Sequence, residues 1–536
     1  MDEIERDFKW SIPVRYNLGV DCSDRQAARK PALIHEKLDG AIERYTFGEL
    51  AQLSNRFANG LKAAGIAQGD RVAIVLPQLP ATVIAHLAVY KLGAVAVPMS
   101  TLFGPDAFEM RLRDSGTKLI VTDEATLPRI EEIADRLPSL ERFALTGGSS
   151  GARPSMSVEK MLAGGAPDFA AVSTKSDDPA LLIYTSGTTG GPKGALHGHR
   201  ILFGHLPGFE LSHDFFPQGD DLFWTPADWA WIGGLMDALF PALHHGRCTF
   251  SMESTGAFDP ERAMSRMAKH AVRNTFLPPT ALKMMRQADA RPPGDLRLRT
   301  IMSGGEALGE EMLDWVRDRL GVTVNEIYGQ TECNYVVGNS STLYPVKPGS
   351  MGKGYPGHRV SVVDELGEPA DRDALGEIAV QRPDPVMFLG YWQNPEATRE
   401  KYIGDWLLTG DLARVDDEGY LHFTGRKDDV INSAGYRIGP TEIESTLIKH
   451  PAVAMAAVIG VPDQIRGEVV KAYITTKQGI EGDGRLATDI QAFVKTRLAA
   501  YEYPREVEFI DQMPLTTTGK IRRNELRARH QEKVGT

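Results

Sequence analysis

Cysteine is scarce: Cys22, Cys248 and Cys333 are the only three in 536 residues. They offer neither a disulfide framework nor a zinc-binding spacing. Long apolar runs are also missing. The most hydrophobic stretch, Val72 to Val97, is broken by Pro77, Gln78, Pro80, His86, Lys91 and Gly93, so it reads as strand, helix and strand of a core and not as a membrane span. The acidic opening Met1-Asp-Glu-Ile-Glu-Arg-Asp7, with no apolar segment after it, is unlike a secretory signal, and a cytoplasmic protein without stable membrane insertion is expected. Positive charge is not in excess either: 60 Lys and Arg stand against 71 Asp and Glu, a formal net charge of -11. General nucleic-acid binders carry a basic surface, so nucleic acid is not an expected partner. An acidic average still permits a local basic patch for a small anionic ligand.

What is present is ordinary globular composition, with 42% hydrophobic and 24% charged residues. The length exceeds what one core usually serves, so more than one domain is expected. The fold class predicted is α/β. Arg71–Leu76, Ala94–Val97 and Lys118–Thr122 read as strands, with helical segments near Ala81–Leu92 and Phe108–Leu112 between them. Further apolar runs, Ala180–Tyr184, Leu298–Met302 and Val322–Tyr328, stop at small or polar residues. Ligands of α/β sheets sit beyond the carboxyl ends of strands, which makes these three run ends the first site candidates.

After about residue 350 the pattern shifts to short strands, Arg359–Asp364, Gly376–Val380 and Tyr420–Phe423, separated by turns. The last hundred residues read as a small α/β unit: helix Glu442–Ile448, strands Ala452–Val461 and Val469–Thr476, helix Leu486–Leu498 and strand Glu506–Ile510. The polar, glycine-containing Gly425–Asp429 is the expected break, giving a large multi-subdomain domain over residues 1–427 and a small one over 428–536.

The strongest local signal is Tyr184-Thr-Ser-Gly-Thr-Thr-Gly-Gly-Pro-Lys-Gly194, directly after an apolar run. Its glycines, among them Gly187 and Gly190, let backbone bend closely around a ligand. Thr185, Ser186, Thr188 and Thr189 supply hydroxyls and Lys193 a positive charge, a combination suited to nucleotide phosphates. It is not a Walker A loop, because Lys193 lies between Pro192 and Gly194, and a P-loop ATPase is disfavoured.

This loop resembles the signature of AMP-forming acyl-CoA synthetases, in the adenylate-forming superfamily that also holds luciferases and nonribosomal peptide adenylation domains. Other segments agree in family order. They are Ser303-Gly-Gly-Glu306, Tyr328-Gly-Gln-Thr-Glu332, Tyr391-Trp-Gln-Asn-Pro395, Trp406-Leu-Leu-Thr-Gly-Asp411, Phe423-Thr-Gly-Arg-Lys-Asp428, Gly435-Tyr-Arg-Ile438 and Pro514-Leu-Thr-Thr-Thr-Gly-Lys520. The style is closest to the medium-chain acyl-CoA synthetases. The resemblance implies a large N-terminal domain, a small mobile C-terminal domain with Asp428 at the hinge, and a site between them. It implies ATP, Mg2+ and coenzyme A as cofactors and a small carboxylic acid as substrate.

The roles follow residue by residue from the same resemblance. Lys520 would contact the carboxylate and phosphate oxygens and stabilise charge during adenylation. Gly304, Gly305 and Glu306 would lie along the adenine, and Tyr328, Gln330 and Thr331 in the motif beside the α-phosphate. Glu332 would coordinate the magnesium. Asp411 would accept from the ribose hydroxyls, with Arg426 supporting the ribose and hinge and Arg437 near the phosphates. Gly435 would let pantetheine pass close to backbone, and Arg466 would meet the phosphates of coenzyme A.

For the acyl group, acetate-specific relatives carry a tryptophan where this chain has Gly329. Each buried methylene contributes about 0.8 kcal/mol, so an open pocket would favour a medium-chain or branched acid over acetate. Trp229, Trp231 and Gly233 in Phe223–Gly234 would form another wall. Two alternatives stay open: an aryl acid of the benzoate type, and delivery of the acyl group to a carrier-protein thiol.

Overall fold

The structure, a computed structural model, describes residues 2–147, 154–185, 192–253, 256–433, 436–463, 466–498, 502–516 and 519–534. The chain packs as two compact units, Met1–Val360 with Val380–Asp405, and Ser361–Ala379 with Trp406–Thr536. The expected cut at 427/428 falls inside the second unit. There Trp406–Val415 pairs antiparallel with Leu421–Arg426, and Gly439, at the start of helix Pro440–Ile448, lies against Thr424.

The first unit is built on two sheets. In the eight-stranded one, Arg71–Val75 is flanked by Val95–Pro98 and Leu119–Asp123, both parallel to it. Pro179–Thr185 joins parallel to Val95–Pro98, and Lys193–Gly198 then Gly390–Tyr391 close that edge antiparallel. The nine-stranded sheet runs parallel from Pro31–Glu36 through Cys248–Met252, Leu222–Trp224, Asn274–Phe276 and Thr300–Gly304 to Val324–Gln330. Cys333–Gly338 turns back on it. Apolar, β-branched runs of this kind suit parallel strands covered on both faces.

Helix Pro80–Lys91 is buried at every residue but Ala81, as an all-round apolar helix must be. Its one cation, the Lys91 ammonium, pairs with Asp24 at 2.6 Å and donates to Ser54 and Asn55. Leu33, Val72, Ile74 and the residues of this helix share one core cluster, so strands of both sheets pack on it. Helix Phe47–Ala63, not anticipated from the sequence, starts at a capping box in which Thr46 and Glu49 satisfy each other's backbone N–H groups.

In the second unit, strands Val453–Asp463 and Gly467–Thr476 pair antiparallel, with Glu506–Phe509 added parallel. Ala456 and Val458 point to one apolar cluster while Ala457, Ile459 and Val461 point to another. The period of two explains why these strands were legible. Helix Arg523–Val534, which had no expected counterpart, is tied down by ion pairs of Arg523 with Glu444 and of Arg527 with Asp429, at 2.7 and 2.6 Å. Among the described residues no helix is long and apolar enough to cross a membrane.

Glu326 is buried in strand Val324–Gln330. Its Oε1 accepts from Leu308 N–H at 2.9 Å, while Oε2 has no hydrogen-bond partner. Burial raises its pKa to about 7. The native state therefore keeps a proton that the unfolded chain releases, and stability falls as pH rises from the ordinary carboxylate range through about 7. Glu326→Gln is expected to raise stability at pH 8 by up to about 3 kcal/mol and to change little at pH 5. Denaturant midpoints at the two pH values measure this; equal effects at both would contradict it.

Candidate functional site

Strand Pro179–Thr185 is apolar and buried up to Tyr184, and it pairs antiparallel with Lys193–Gly198 so that Thr185 faces Lys193. Ser186, Gly187, Thr188, Thr189 and Gly190 lie outside the described residues. On the flanks, the Thr185 hydroxyl donates to the Lys193 carbonyl at 3.4 Å. The Lys193 ammonium lies 5.3 Å from the centre of the Tyr391 ring, a cation–π contact. Tyr391 is paired in register with Ala195, and its hydroxyl donates to Glu332 Oε1 at 2.5 Å. One tyrosine thus connects the cation of the first motif to the carboxylate of another.

Glu332 follows the end of Val324–Gln330, whose neighbour Thr300–Gly304 runs parallel with Gly304 beside Ile327. Both strands present their carboxyl ends together, as expected of a ligand site in such a sheet. Gly305 follows at φ +101°, a backbone region open to glycine. Glu306 pairs with Lys283 at 2.9 Å, and Gln330 accepts from the Lys401 ammonium at 3.3 Å. Tyr328 and Thr331 are half-buried on the same strand end. Gly304, Gly305, Glu306, Tyr328, Gln330, Thr331, Glu332 and Lys193 are therefore carried on one connected region of the first unit.

The glycine at 329 has a different reason from the one expected. A register shift between Tyr328 and Gln330 brings the hairpin strands close. A Cβ at 329 would overlap the backbone nitrogen of Tyr335 and lie 2.7 Å from both Cα and Oδ1 of Asn334. The space that an indole would need is filled by backbone, so the absence of a side chain here does not by itself open an acyl pocket. The tryptophans also separate. Trp229 is buried in the main core with Leu235 and Phe240, whereas Trp231 lines a small recess of about 10 Å³ with Ser100, Phe103, Arg111 and Tyr184. Gly233 lies against Phe276, 3.1 Å from where its Cβ would be.

The remaining candidates lie on the second unit. Asp411 is buried opposite Arg426 in register, and Arg426 Nη1 meets Asp411 Oδ1 at 3.0 Å. Asp428 is exposed in the single turn Lys427–Asp429, and its carbonyl accepts from Arg527 at 3.2 Å. Lys520 is exposed at a turn in which its N–H donates to Thr516 Oγ1 at 3.0 Å and its carbonyl accepts from Thr516 N–H at 2.7 Å. Arg466 is half-buried, with its N–H on Asp463 at 2.8 Å. Arg437 is placed as backbone in strand Tyr436–Ile438; its side chain and Gly435 lie outside the described residues.

Two features escaped the sequence reading. Tyr391 stood in a quoted motif yet received no role, because its partner is 59 positions away. Asp237 and Asn334 form a buried 2.6 Å hydrogen bond, with His205 beside both. The signal available for Asp237 was a lone carboxylate in the apolar run Leu235–Phe240.

The residues 21–392 match the model of the AMP-binding enzyme family, and 442–520 match the AMP-binding enzyme C-terminal domain. The chain is 35% identical to acyl-coenzyme A synthetase ACSM4, mitochondrial, of Homo sapiens, over 96% of this chain and 91% of that one. Among solved structures, an acyl-CoA synthetase of Brucella canis is 34% identical with 99% of each chain covered and a TM-score of 0.75. The anthranilate CoA ligase AuaEII, in complex with anthranoyl-AMP, is 29% identical, covers 98% of this chain and 99% of that one, and has a TM-score of 0.87.

The hairpin geometry makes a definite demand at 329. Gly329→Ala is expected to destabilise the protein by about 2 kcal/mol through overpacking, and Gly329→Trp by more. Urea midpoints test this; a fully stable tryptophan variant would show that the hairpin can open.

Proposed function

Since the chain belongs to the AMP-binding enzyme family and is an AMP-forming acyl-CoA synthetase, we propose that its acid is a medium-chain or branched carboxylic acid. The enzyme class is an ATP-dependent acyl-CoA ligase that works through an acyl-AMP intermediate. In the first half-reaction a carboxylate oxygen attacks the α-phosphorus of ATP and pyrophosphate leaves. In the second the thiol of coenzyme A gives up its proton, its sulfur attacks the acyl carbon, and AMP leaves.

The observation that carries the residue assignment is the Tyr391 bridge between Lys193 and Glu332. Both reactants of the first step are anions, so the site has to neutralise charge and align them. Lys193 would take phosphate oxygens. Glu332 suits Mg2+, which commonly uses one or two carboxylates together with phosphate oxygens. The donor fits a hard cation, since Glu332 offers carboxylate oxygen and Tyr391 orients it through Oε1. When bound, the ion would screen phosphate charge. Tyr391 fixes Oε1 of Glu332 by its hydrogen bond. Asp411, held by Arg426, would receive the ribose hydroxyls.

Lys520 is proposed as the catalytic cation of adenylation, with Asp428 as the hinge on which residues 428–536 would turn between half-reactions. Arg437, Gly435 and Arg466 keep their proposed places near phosphates and coenzyme A. The acid assignment rests on the likeness to acyl-coenzyme A synthetase ACSM4. An aryl acid is the second reading, favoured by the likeness to the anthranilate CoA ligase.

CoA-dependent AMP release from acetate, butyrate, isobutyrate, hexanoate, octanoate and benzoate tests the acid. An optimum above acetate among the aliphatic acids is expected; an acetate optimum would overturn it, and a benzoate optimum would select the second reading. Lys520→Ala is expected to slow adenylation at least about 100-fold, a loss of roughly 2.7 kcal/mol in transition-state stabilisation. Conversion of supplied acyl-AMP to acyl-CoA should suffer less. Equal loss in both half-reactions would refute the role.

A further inference from the structure

The segment Leu235–Leu239 is wound as a π-helix, a wide turn that recurs at functional sites. It carries Asp237, which is 3% exposed. Asn334, 6% exposed, donates from Nδ2 to Asp237 Oδ1 at 2.6 Å and to His205 Nε2 at 3.2 Å. The His205 ring donates in turn from Nδ1 to the Ile201 carbonyl at 2.8 Å, which leaves Nε2 as an acceptor. Both amide hydrogens of Asn334 are thereby used.

Two acceptors are left over. Asp237 Oδ2 and Asn334 Oδ1 have no hydrogen-bond partner among the described residues. His205 does not help: its ring is 3.5 Å from Oδ1, and burial lowers its pKa to about 4, so it stays neutral. Burial also raises the pKa of Asp237.

The two unused oxygens lie beside two glycines. A Cβ at Gly233 would be 3.5 Å from Asp237 Oδ2, and one at Gly329 would be 2.7 Å from Asn334 Oδ1. Gly329 stands between Tyr328 and Gln330, three residues before Glu332, so the polar pair borders the strand end that carries the proposed magnesium ligand. Phe276, next to Gly233, supplies an apolar neighbour.

We propose that the acid activated by this enzyme carries a hydrogen-bond donor, an amine or a hydroxyl, that is received by Asp237 Oδ2 and Asn334 Oδ1. This rests on the acyl-CoA synthetase reading and narrows its substrate. Sites built to pair with a substrate donor discriminate strongly against the analogue lacking it, since their own polar atoms are then left unpaired. The two kinds of donor differ in charge. An amine retained as ammonium compensates the carboxylate, whereas a hydroxyl satisfies it without doing so.

The experiment measures kcat/KM from CoA-dependent AMP release on matched acids: hexanoate with its 6-hydroxy and 6-amino forms, and benzoate with its hydroxy and amino isomers. At least one donor-bearing acid should exceed its parent by about tenfold or more. Asp237→Leu, similar in volume, should bring that ratio down to about one or below while sparing the parent acid. Asp237→Asn, which keeps the shape, provides a second variant if the leucine form fails to fold. It should cost 6-aminohexanoate, an ammonium, more than 6-hydroxyhexanoate. Parents used at least as well as every substituted acid would overturn the inference while leaving acyl-CoA formation intact. Equal loss for both members of a pair in either variant would also overturn it, assigning Asp237 a structural role. No AMP release from any acid would remove the underlying reading, and the inference with it.

Discussion

The short segment Met387–Tyr391 is hydrogen-bonded to both sheets of the first unit. Phe388 N–H donates to the Glu332 carbonyl at 2.9 Å, and Leu389 N–H donates to the Leu196 carbonyl at 2.6 Å. Tyr391 then reaches Glu332 again through its hydroxyl. Each such bond contributes only about 1 kcal/mol net to stability. Their combined effect on position matters more. Lys193 belongs to one sheet and Glu332 to a loop of the other, and both are proposed to act on one phosphate chain. A misplacement of about 1 Å can cost a factor of about 100 in rate, so the proposed chemistry depends on this stitch.

Each unit also pairs its own proposed site carboxylate, Glu332 in the first and Asp411 in the second. Glu332 has the Tyr391 hydroxyl and, in its proposed role, a divalent cation. Asp411 has Arg426 at 3.0 Å across a strand pair. That pairing is fixed by register, because Asp411 and Arg426 are direct cross-strand neighbours. Lys520 differs. It is exposed, and its turn is held by Thr516, which suits a cation proposed to be needed in one half-reaction only.

Much of this was legible because the relevant segments follow simple periods. The parallel strands around Arg71–Val75 appear as unbroken β-branched runs, and the C-terminal strands show alternation. The motif residues were readable by likeness in order and spacing. What escaped was set by pairing distant in sequence. Helix Phe47–Ala63 had a local capping signal that went unused. Tyr391 acts through Glu332, which no local pattern announces. The glycine at 329 was read as empty space, although the hairpin bulge fills that space with the backbone of Asn334 and Tyr335. A sequence shows that a side chain is absent; only the fold shows what takes its place.

Asp237 makes the converse case. In Leu235-Met-Asp-Ala-Leu-Phe240 a carboxylate interrupts a run that packs into the core on either side, since Leu235 and Ala238 are fully buried. Local propensity and burial disagree there, and real proteins tend to violate such consistency at functional sites. The hydrogen bond to Asn334 offsets only part of the cost of burying the carboxyl group, whose pKa burial raises. A replacement of the Asp237–Asn334 pair by two apolar residues of similar shape would remove the desolvation cost from both sides. The retained polar pair, in a wide turn and beside two glycines, therefore has an energetic cost that packing alone does not explain, and a donor on the substrate is the partner that would offset it.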